Sequence, residues 1–128
     1  MKDYDPALDG AWLPVAAFVA GEVLPVEELR IARLILEYGS YRILDHAQRV
    51  VDRGEMLLDM RAIPRAMNLV GIEGPNAGRT LLAIYELSNE LLSICYDMEQ
   101  VVRPTTMQAQ SDQALLLITY ARDARRLS

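Results

Sequence analysis

Three acidic residues in this chain have a spacing that would let their carboxylates bind a metal ion together. Glu86, Glu90 and Asp97 follow one another at intervals that place them on one face of an α-helix. Carboxylates on such a face can bind Mg²⁺ or Mn²⁺ together with carboxylates from a facing helix, for which the candidates are Glu37, Asp45, Asp52 and Asp59. One hypothesis is therefore a metal-dependent nucleotide hydrolase that uses carboxylates on a central helix. The tighter Glu-x-x-Glu spacing of all-helical pyrophosphohydrolases is absent from this row, so a solvated polar face is the favoured interpretation.

A glycine-rich segment at residues 71–80 matches a phosphate-binding loop only in part. Its sequence is GIEGPNAGRT. A phosphate loop needs the spacing G-x-x-x-x-G-K-[ST], because the glycines let backbone N–H groups surround the phosphates while the lysine reaches the outer ones. Here Glu73 stands where the first glycine would be, and Arg79 replaces the lysine. The segment is interpreted as a turn between helices.

His46 and Cys95 are each the single residue of their type. One histidine cannot build a His-rich zinc site, so His46 is predicted to lie across the bundle or at a dimer interface. Cys95 lies on a predicted apolar stripe, which indicates a buried and inert thiol. A lone cysteine cannot form an internal disulfide and fits a reducing, cytoplasmic setting. We predict no cofactor.

The segment that would position the acidic residues spans residues 80–102. Its apolar or small residues recur every three or four positions, which is typical of an amphipathic α-helix. Additional leucine, isoleucine and tyrosine residues widen the apolar arc. We therefore expect this helix to be central and covered on more than one side. Arg103 and Pro104 would end it.

Four main helices and one or two short ones are predicted in all. Apart from the central helix, the predicted segments are residues 14–20, 26–53, 55–62, 64–70 and 112–126. Gly21 and Gly54 are interpreted as residues just past helix ends, and Gly39 would lie inside the second helix. No stretch alternates strictly enough to predict a strand. The predicted fold class is therefore all-α, a compact helical bundle forming a single domain over residues 1–128, with residues 1–10 as an irregular arm.

Composition limits the classes of partner. The formal net charge of −5 argues against binding to a nucleic-acid backbone, which needs many cationic contacts. The hydrophobic share of 52 % is high for a short chain and suggests that some apolar surface lies between subunits. The apolar run at residues 11–20 is too short for a bilayer, which takes about twenty residues to span. We predict no membrane association.

The leading prediction is a non-catalytic helical protein–protein interaction module, such as an accessory protein, inhibitor or assembly factor. It would form a homodimer in the cytoplasm, and this homodimer would bind another protein. Tyrosine and methionine are enriched at interfaces. The interface candidates are Trp12, Phe18, Tyr38, Tyr41, His46, Met56 and Met60. The alternative is the nucleotide hydrolase, with Glu86, Glu90 and Asp97 as metal ligands.

Overall fold

The computed structural model describes residues 3–99, 102–107 and 115–123. Within these ranges the chain forms β-strands and two short 3₁₀ helices, Pro6–Leu8 and Val26–Glu28, but no α-helix. The strands are β1 (Gly10–Val19), β2 (Glu22–Val23), β3 (Arg33–Glu37), β4 (Ser40–Leu44), β5 (Val50–Asp59), β6 (Arg65–Glu73), β7 (Thr80–Ser88), β8 (Leu91–Asp97) and β9 (Leu115–Arg122).

Eight of these strands form a closed antiparallel β-barrel. From β3 to β9 each strand pairs with the next along the chain, and β1 pairs with β3 on one edge. The other edge of β1 pairs with β9, for example at Leu13 and Ala121, which closes the barrel. The two-residue strand β2 extends the end of β1 outside this ring. Closure leaves few unpaired strand edges, which is how barrels avoid edge-to-edge association.

The prediction of an all-α helical bundle is therefore wrong, and residues 80–102 show why. They form β7 and β8 rather than a central helix. Leu81, Ala83 and Tyr85 alternate toward the interior of the barrel, but Ile84 faces a second apolar cluster on the outer wall. Because both faces of β7 contact apolar groups, the period-two pattern of a half-buried strand disappears from the sequence. The remaining three-to-four spacing matches a helix by coincidence.

Two-residue turns connect several pairs of neighbouring strands. At these positions the sequence predicted either the interior or the end of a helix. The turns are Ala20-Gly21, Tyr38-Gly39 and Asn89-Glu90, and both central residues of each turn have positive φ. Positive φ at both positions is the type I′ turn, whose twist matches that of the flanking antiparallel strands. Gly39 is thus a hairpin residue and not a break inside a helix.

The other predicted helices also correspond to strands. Residues 14–20 belong mostly to β1, and residues 26–53 contain β3, β4 and the start of β5. Residues 55–62 and 64–70 fall largely on β5 and β6. Residues 115–122 of the last predicted helix form β9, Asp123 follows this strand, and residues 112–114 and 124–126 lie outside the described residues. Among the described residues, no helix has the length and apolar character needed to cross a bilayer.

Gly54, predicted as a helix cap, lies inside β5 and faces the barrel interior. A Cβ atom there would lie 2.0 Å from the carbonyl oxygen of Val70 and 2.8 Å from Cε1 of Tyr41. Any side chain at this position would therefore displace the Tyr41 ring or open the β5–β6 pair. The glycine allows an aromatic ring from β4 to cross over β5 inside the barrel.

The barrel interior holds the main core, and a smaller apolar cluster lies outside it. Trp12, Leu92 and Tyr120 are among the fully enclosed side chains of the interior. On the outer wall, Met107 and Leu117 pack over Ile84, Cys95 and Leu115. The predicted burial of the Cys95 thiol is confirmed, and burial raises its pKa to about 11. This outer layer accounts for the two-faced character of β7 and β8.

Candidate functional site

One end of the barrel is closed by the segment that precedes β1. The Leu8 side chain is fully buried there, and the Trp12 indole Nε1 donates a hydrogen bond of 2.9 Å to the Leu8 carbonyl oxygen. The Arg122 guanidinium lies 4.3 Å over the Trp12 ring. It also donates to the carbonyl oxygens of Ala7, at 2.7 Å, and Asp9, at 2.9 Å. The last described strand therefore fastens the first segment of the chain over this end.

The opposite end contains a cavity of about 170 Å³ inside the barrel. Part of its lining comes from connections between strands, and this part includes Ile31 before β3, Asn76 between β6 and β7, and Met98 after β8. The remaining apolar lining comes from the strands, namely Leu34, Leu36, Ile43, Met67, Leu69, Leu81, Ile94, Leu116 and Ile118. Four other side chains add polar atoms, namely Tyr41, Asp52, Arg79 and Tyr96. The site is thus mostly apolar with a few polar groups, the usual character of a small-molecule pocket.

The glycine-rich segment positions one of the polar side chains at this end. Residues 74–79 connect β6 to β7, so the predicted turn joins strands and not helices. A Cβ atom on Gly71 would lie 1.9 Å from the Asn76 carbonyl oxygen, and one on Gly74 would lie 2.4 Å from a backbone oxygen of β5. The glycines therefore let the loop pack closely on the barrel rim. In this position the Asn76 side-chain Nδ2 donates a 2.8 Å hydrogen bond to Asp52 Oδ2.

Two buried polar atoms in the cavity wall make no hydrogen bond of normal length and angle with the described residues. They are the Tyr41 hydroxyl and Oδ1 of Asp52. Tyr41 is 2 % exposed and Asp52 is 5 % exposed. Buried polar atoms are almost always paired in folded proteins, because an unpaired one costs about 1–3 kcal/mol. This pair therefore marks the polar end of the cavity as unusual.

The environment of this pair shifts both acid–base equilibria. Burial raises the pKa of Tyr41 to about 12, and the nearby negative charge of Asp52 and a hydrogen-bonding contact with its carboxylate act in the same direction. Burial also raises the pKa of Asp52, although hydrogen bonding to Asn76, to the Arg53 backbone and to the Tyr41 hydroxyl acts in the opposite direction. Tyr41 is consequently a neutral phenol near neutral pH. Its hydroxyl can both donate and accept a hydrogen bond.

A second tyrosine pair lies in the barrel interior. The Tyr96 and Tyr120 hydroxyls are 3.0 Å apart and form a buried hydrogen bond. Burial is the main cause that raises the pKa of both groups. Tyr96 lines the cavity, and Tyr120 is not among the lining residues. The Tyr120 hydroxyl thus provides a paired counterpart to the unpaired hydroxyl of Tyr41.

The three predicted metal ligands do not come together. Glu86 lies on β7, Glu90 lies in the turn after it, and Asp97 lies at the far end of β8. Seven strand positions separate Glu90 from Asp97, which is roughly 20 Å. Glu90 instead accepts a 2.6 Å hydrogen bond from Arg122, and Asp97 accepts one of 2.7 Å from the Val102 backbone. Among the described residues no group of three or more His, Cys, Asp and Glu could hold a metal ion.

The hydrolase hypothesis placed these carboxylates on one face of a central helix, and it is wrong because that helix does not exist. The helical interaction module is wrong for the same reason. Both depended on residues four positions apart sharing a face. On a strand, side chains alternate between two faces, and here a hairpin turn also intervenes between β7 and β8.

The predicted interface candidates divide into buried and exposed groups. Trp12, Tyr41 and Met56 point into the barrel and are at most 2 % exposed. Phe18, Tyr38 and His46 are exposed, and Met60 is half-buried. Tyr38 stacks on Tyr4 with ring centroids 6.0 Å apart. The role of these residues in a protein interface stays a prediction. Tyr41 lies in the cavity wall, which the sequence did not indicate.

Sequence reasoning considered Asp52 only as a possible metal-binding carboxylate on a facing helix and missed its place in the cavity wall. Asp52 lies on β5, in the interior row that continues through Gly54, Met56 and Leu58. The signal that was available is this alternation, in which one carboxylate occupies a position otherwise given to glycine or apolar residues. Asn76 was noted only as a turn residue, because its hydrogen bond to Asp52 depends on the fold.

Comparisons of the chain with protein-family models, with curated proteins and with solved structures found no match. Function is therefore argued here from the geometry of the barrel. The cavity combines a largely apolar wall with an unpaired hydroxyl and an unpaired carboxylate oxygen. That combination can hold a small apolar body and orient it by one polar group.

Proposed function

We propose that this protein binds one small, mostly apolar molecule inside the barrel. The observation that carries the proposal is the cavity of about 170 Å³ with its mainly aliphatic wall. An eight-stranded barrel is either filled by its own side chains or just wide enough to hold one small ligand. Here one end is filled around Trp12 and the other is not. An engineered apolar cavity of about 150 Å³ is known to bind benzene, so this volume suits a body about the size of one aromatic ring.

Two physical terms favour such a ligand. Transfer of apolar surface from water into the cavity contributes about 25 cal/mol for each square ångström buried. Wall atoms that face a void also lack dispersion contacts, and a ligand supplies them. Leu69, Ile94 and Ile118 belong to the wall and to rigid strands, so little ordering of the protein is needed on binding.

The test is binding of a panel of one-ring and short-chain apolar molecules, followed by protein NMR. We expect saturable shifts confined to methyl groups of the wall. The variant Leu116→Phe should weaken binding because it adds volume inside the cavity. Leu117→Phe is the matched control, since Leu117 is on the outer wall and should leave binding unchanged. If no member of the panel binds, or if both variants affect binding equally, the proposal fails.

We further propose a cytoplasmic location, supported by the single buried thiol of Cys95. Fractionation of cells that express the chain tests this point, and recovery outside the cytosol would contradict it. Self-association and a protein partner stay predictions. Val15, Phe18 and Val23 are exposed apolar residues on β1 and β2 and are the first place to look for such a contact. Sedimentation velocity at several concentrations measures it.

A further inference from the structure

The cavity has a chemical preference as well as a size. We propose that its ligand carries a neutral hydroxyl group, which sits between the Tyr41 hydroxyl and Oδ1 of Asp52. The inference rests on the proposed ligand-binding function and adds the class of molecule, an apolar alcohol or a phenol. Its basis is that both atoms line the cavity, are buried, and make no hydrogen bond of normal length and angle with the described residues.

A single hydroxyl group can form hydrogen bonds with both atoms at once. It accepts a hydrogen bond from the Tyr41 O–H and donates its own proton toward the Asp52 carboxylate. An ammonium group can only donate, so it could not accept a hydrogen bond from the Tyr41 O–H. A carboxylate can only accept and would face the charge of Asp52. A hydrocarbon would pair with neither polar atom.

The charges of the wall favour a neutral group. Asp52 and Arg79 both line the cavity and carry opposite formal charges. Tyr41 stays neutral because its pKa is raised to about 12. A neutral ligand leaves this balance unchanged, whereas a cation or an anion would add a net charge to a largely apolar space.

The neighbouring contacts hold the two atoms ready for a ligand. Asn76 Nδ2 donates to Oδ2 of Asp52 at 2.8 Å, which fixes the carboxylate while Oδ1 keeps its lone pairs. The absence of a side chain at Gly54 lets the Tyr41 ring reach across β5. A site whose polar groups are held before binding loses little in ordering them, and it discriminates against molecules that cannot pair with them.

The experiment compares phenol with toluene, which have nearly the same shape. Toluene is the more hydrophobic, so an apolar cavity without polar recognition would favour it. We expect the wild-type protein to bind phenol about tenfold more tightly or better, because a hydrogen bond to a charged acceptor outweighs the difference in burial. Titration calorimetry gives both dissociation constants. Benzylamine and benzoate are the positively and negatively charged ligands of the comparison, and both should bind more weakly than phenol.

Tyr41→Phe is the decisive variant. It keeps the ring and removes only the unpaired hydroxyl, and it should lower the phenol-over-toluene ratio about tenfold. Asp52→Asn should lower the ratio by a smaller factor, because an amide oxygen still accepts a hydrogen bond but without charge. Tyr85→Phe is the matched control, since that buried hydroxyl is paired with Asp5 at the closed end and neither residue lines the cavity. The ratio should be unchanged in this control.

Each outcome decides a separate point. Toluene that binds as well as phenol, with a ratio unaffected by Tyr41→Phe, overturns the hydroxyl inference and leaves the apolar cavity function intact. Benzylamine or benzoate that binds more tightly than phenol also overturns it. Failure of both phenol and toluene to bind, together with the wider panel, overturns the proposed function and this inference with it.

Discussion

The two ends of the barrel use their polar groups in opposite ways. At the closed end Asp5, Trp12 and Arg122 all have hydrogen-bond partners, and these partners join the first segment of the chain to β1, β7 and β9. At the cavity end Tyr41 and Asp52 each present a buried atom that makes no hydrogen bond of normal length and angle with the described residues. Paired groups contribute to stability, whereas unpaired ones reduce it and are kept where recognition needs them. The comparison therefore assigns stability to one end and binding to the other.

The largest loss of stability is expected from Trp12→Ala at the closed end. The substitution removes a fully buried indole and the donor to the Leu8 carbonyl oxygen. It should lower the free energy of unfolding by about 3–5 kcal/mol. Urea denaturation followed by far-ultraviolet circular dichroism measures this. Leu116→Ala at the cavity rim should cost clearly less, because that half-buried side chain already borders a void. Equal losses of unfolding free energy in the two variants would contradict the separate roles of the two ends.

Arg122→Lys should cost about 1–3 kcal/mol of unfolding free energy. A lysine cannot place several donors on the carbonyl oxygens of Ala7 and Asp9 while lying flat over the Trp12 ring. Glu90→Gln is the matched control, because it removes only the exposed carboxylate that accepts from the same guanidinium. That change should stay within about 0.5 kcal/mol. A larger effect from Glu90 than from Arg122 would contradict the fastening role of the arginine.

Removing the Tyr120 hydroxyl and removing the Tyr41 hydroxyl should change the free energy of unfolding by different amounts or in opposite directions. Tyr120→Phe removes one partner of the buried Tyr96 hydrogen bond and should cost about 1 kcal/mol. Tyr41→Phe removes a buried hydroxyl that makes no hydrogen bond of normal length and angle with the described residues, so the unfolding free energy should stay the same or rise. Thermal and urea unfolding of both variants without ligand provide the values. If Tyr41→Phe is the more damaging change, the hydroxyl is already paired in solution.

The smallest expected effect is a change in the pH dependence of stability. Because burial raises the pKa of Asp52 in the folded protein, the native state takes up a proton more readily than the unfolded chain does. The contribution of Asp52 is therefore most favourable at low pH, and it is lost as the pH rises through the folded pKa. The stability of Asp52→Asn relative to wild type should accordingly rise between about pH 4 and about pH 7. Urea titrations across this range test the sign, and a fall would mean that the pKa is lowered.

Several local features of the chain were readable from its sequence. The glycine-rich segment was predicted as a turn, and residues 74–79 do connect two elements. The burial of Cys95 was also predicted. Both inferences depend on short-range chemistry, namely the backbone freedom of glycine and the apolar neighbours of one thiol. They hold whether the flanking elements are helices or strands.

The fold class and the site depend on contacts that span the chain. Cys95 and Ile84 lie on the outer face of the barrel but pack with Met107 and Leu115, so apolar residues occupy both faces of β7 and β8. The alternation of apolar and polar residues that would have indicated strands is therefore missing from the sequence. The Asn89-Glu90 turn was also hidden, since type I′ turns usually contain glycine. Asp52 could not be recognised as a cavity residue before β4, β5 and the Asn76 loop were brought together. Tertiary packing decided all of these points.

Closure of the barrel through β1 and β9 also has a consequence for synthesis on the ribosome. The contact between Arg122 and Asp9 joins positions 113 residues apart. At typical translation speeds, roughly 6–20 s pass between synthesis of the two partners. During that interval one edge of β1 waits without its neighbour, with exposed backbone donors and acceptors that another nascent chain can pair with. Lower expression temperature or slower initiation should therefore increase the yield of the folded barrel, and the crowding of polysomes should reduce it.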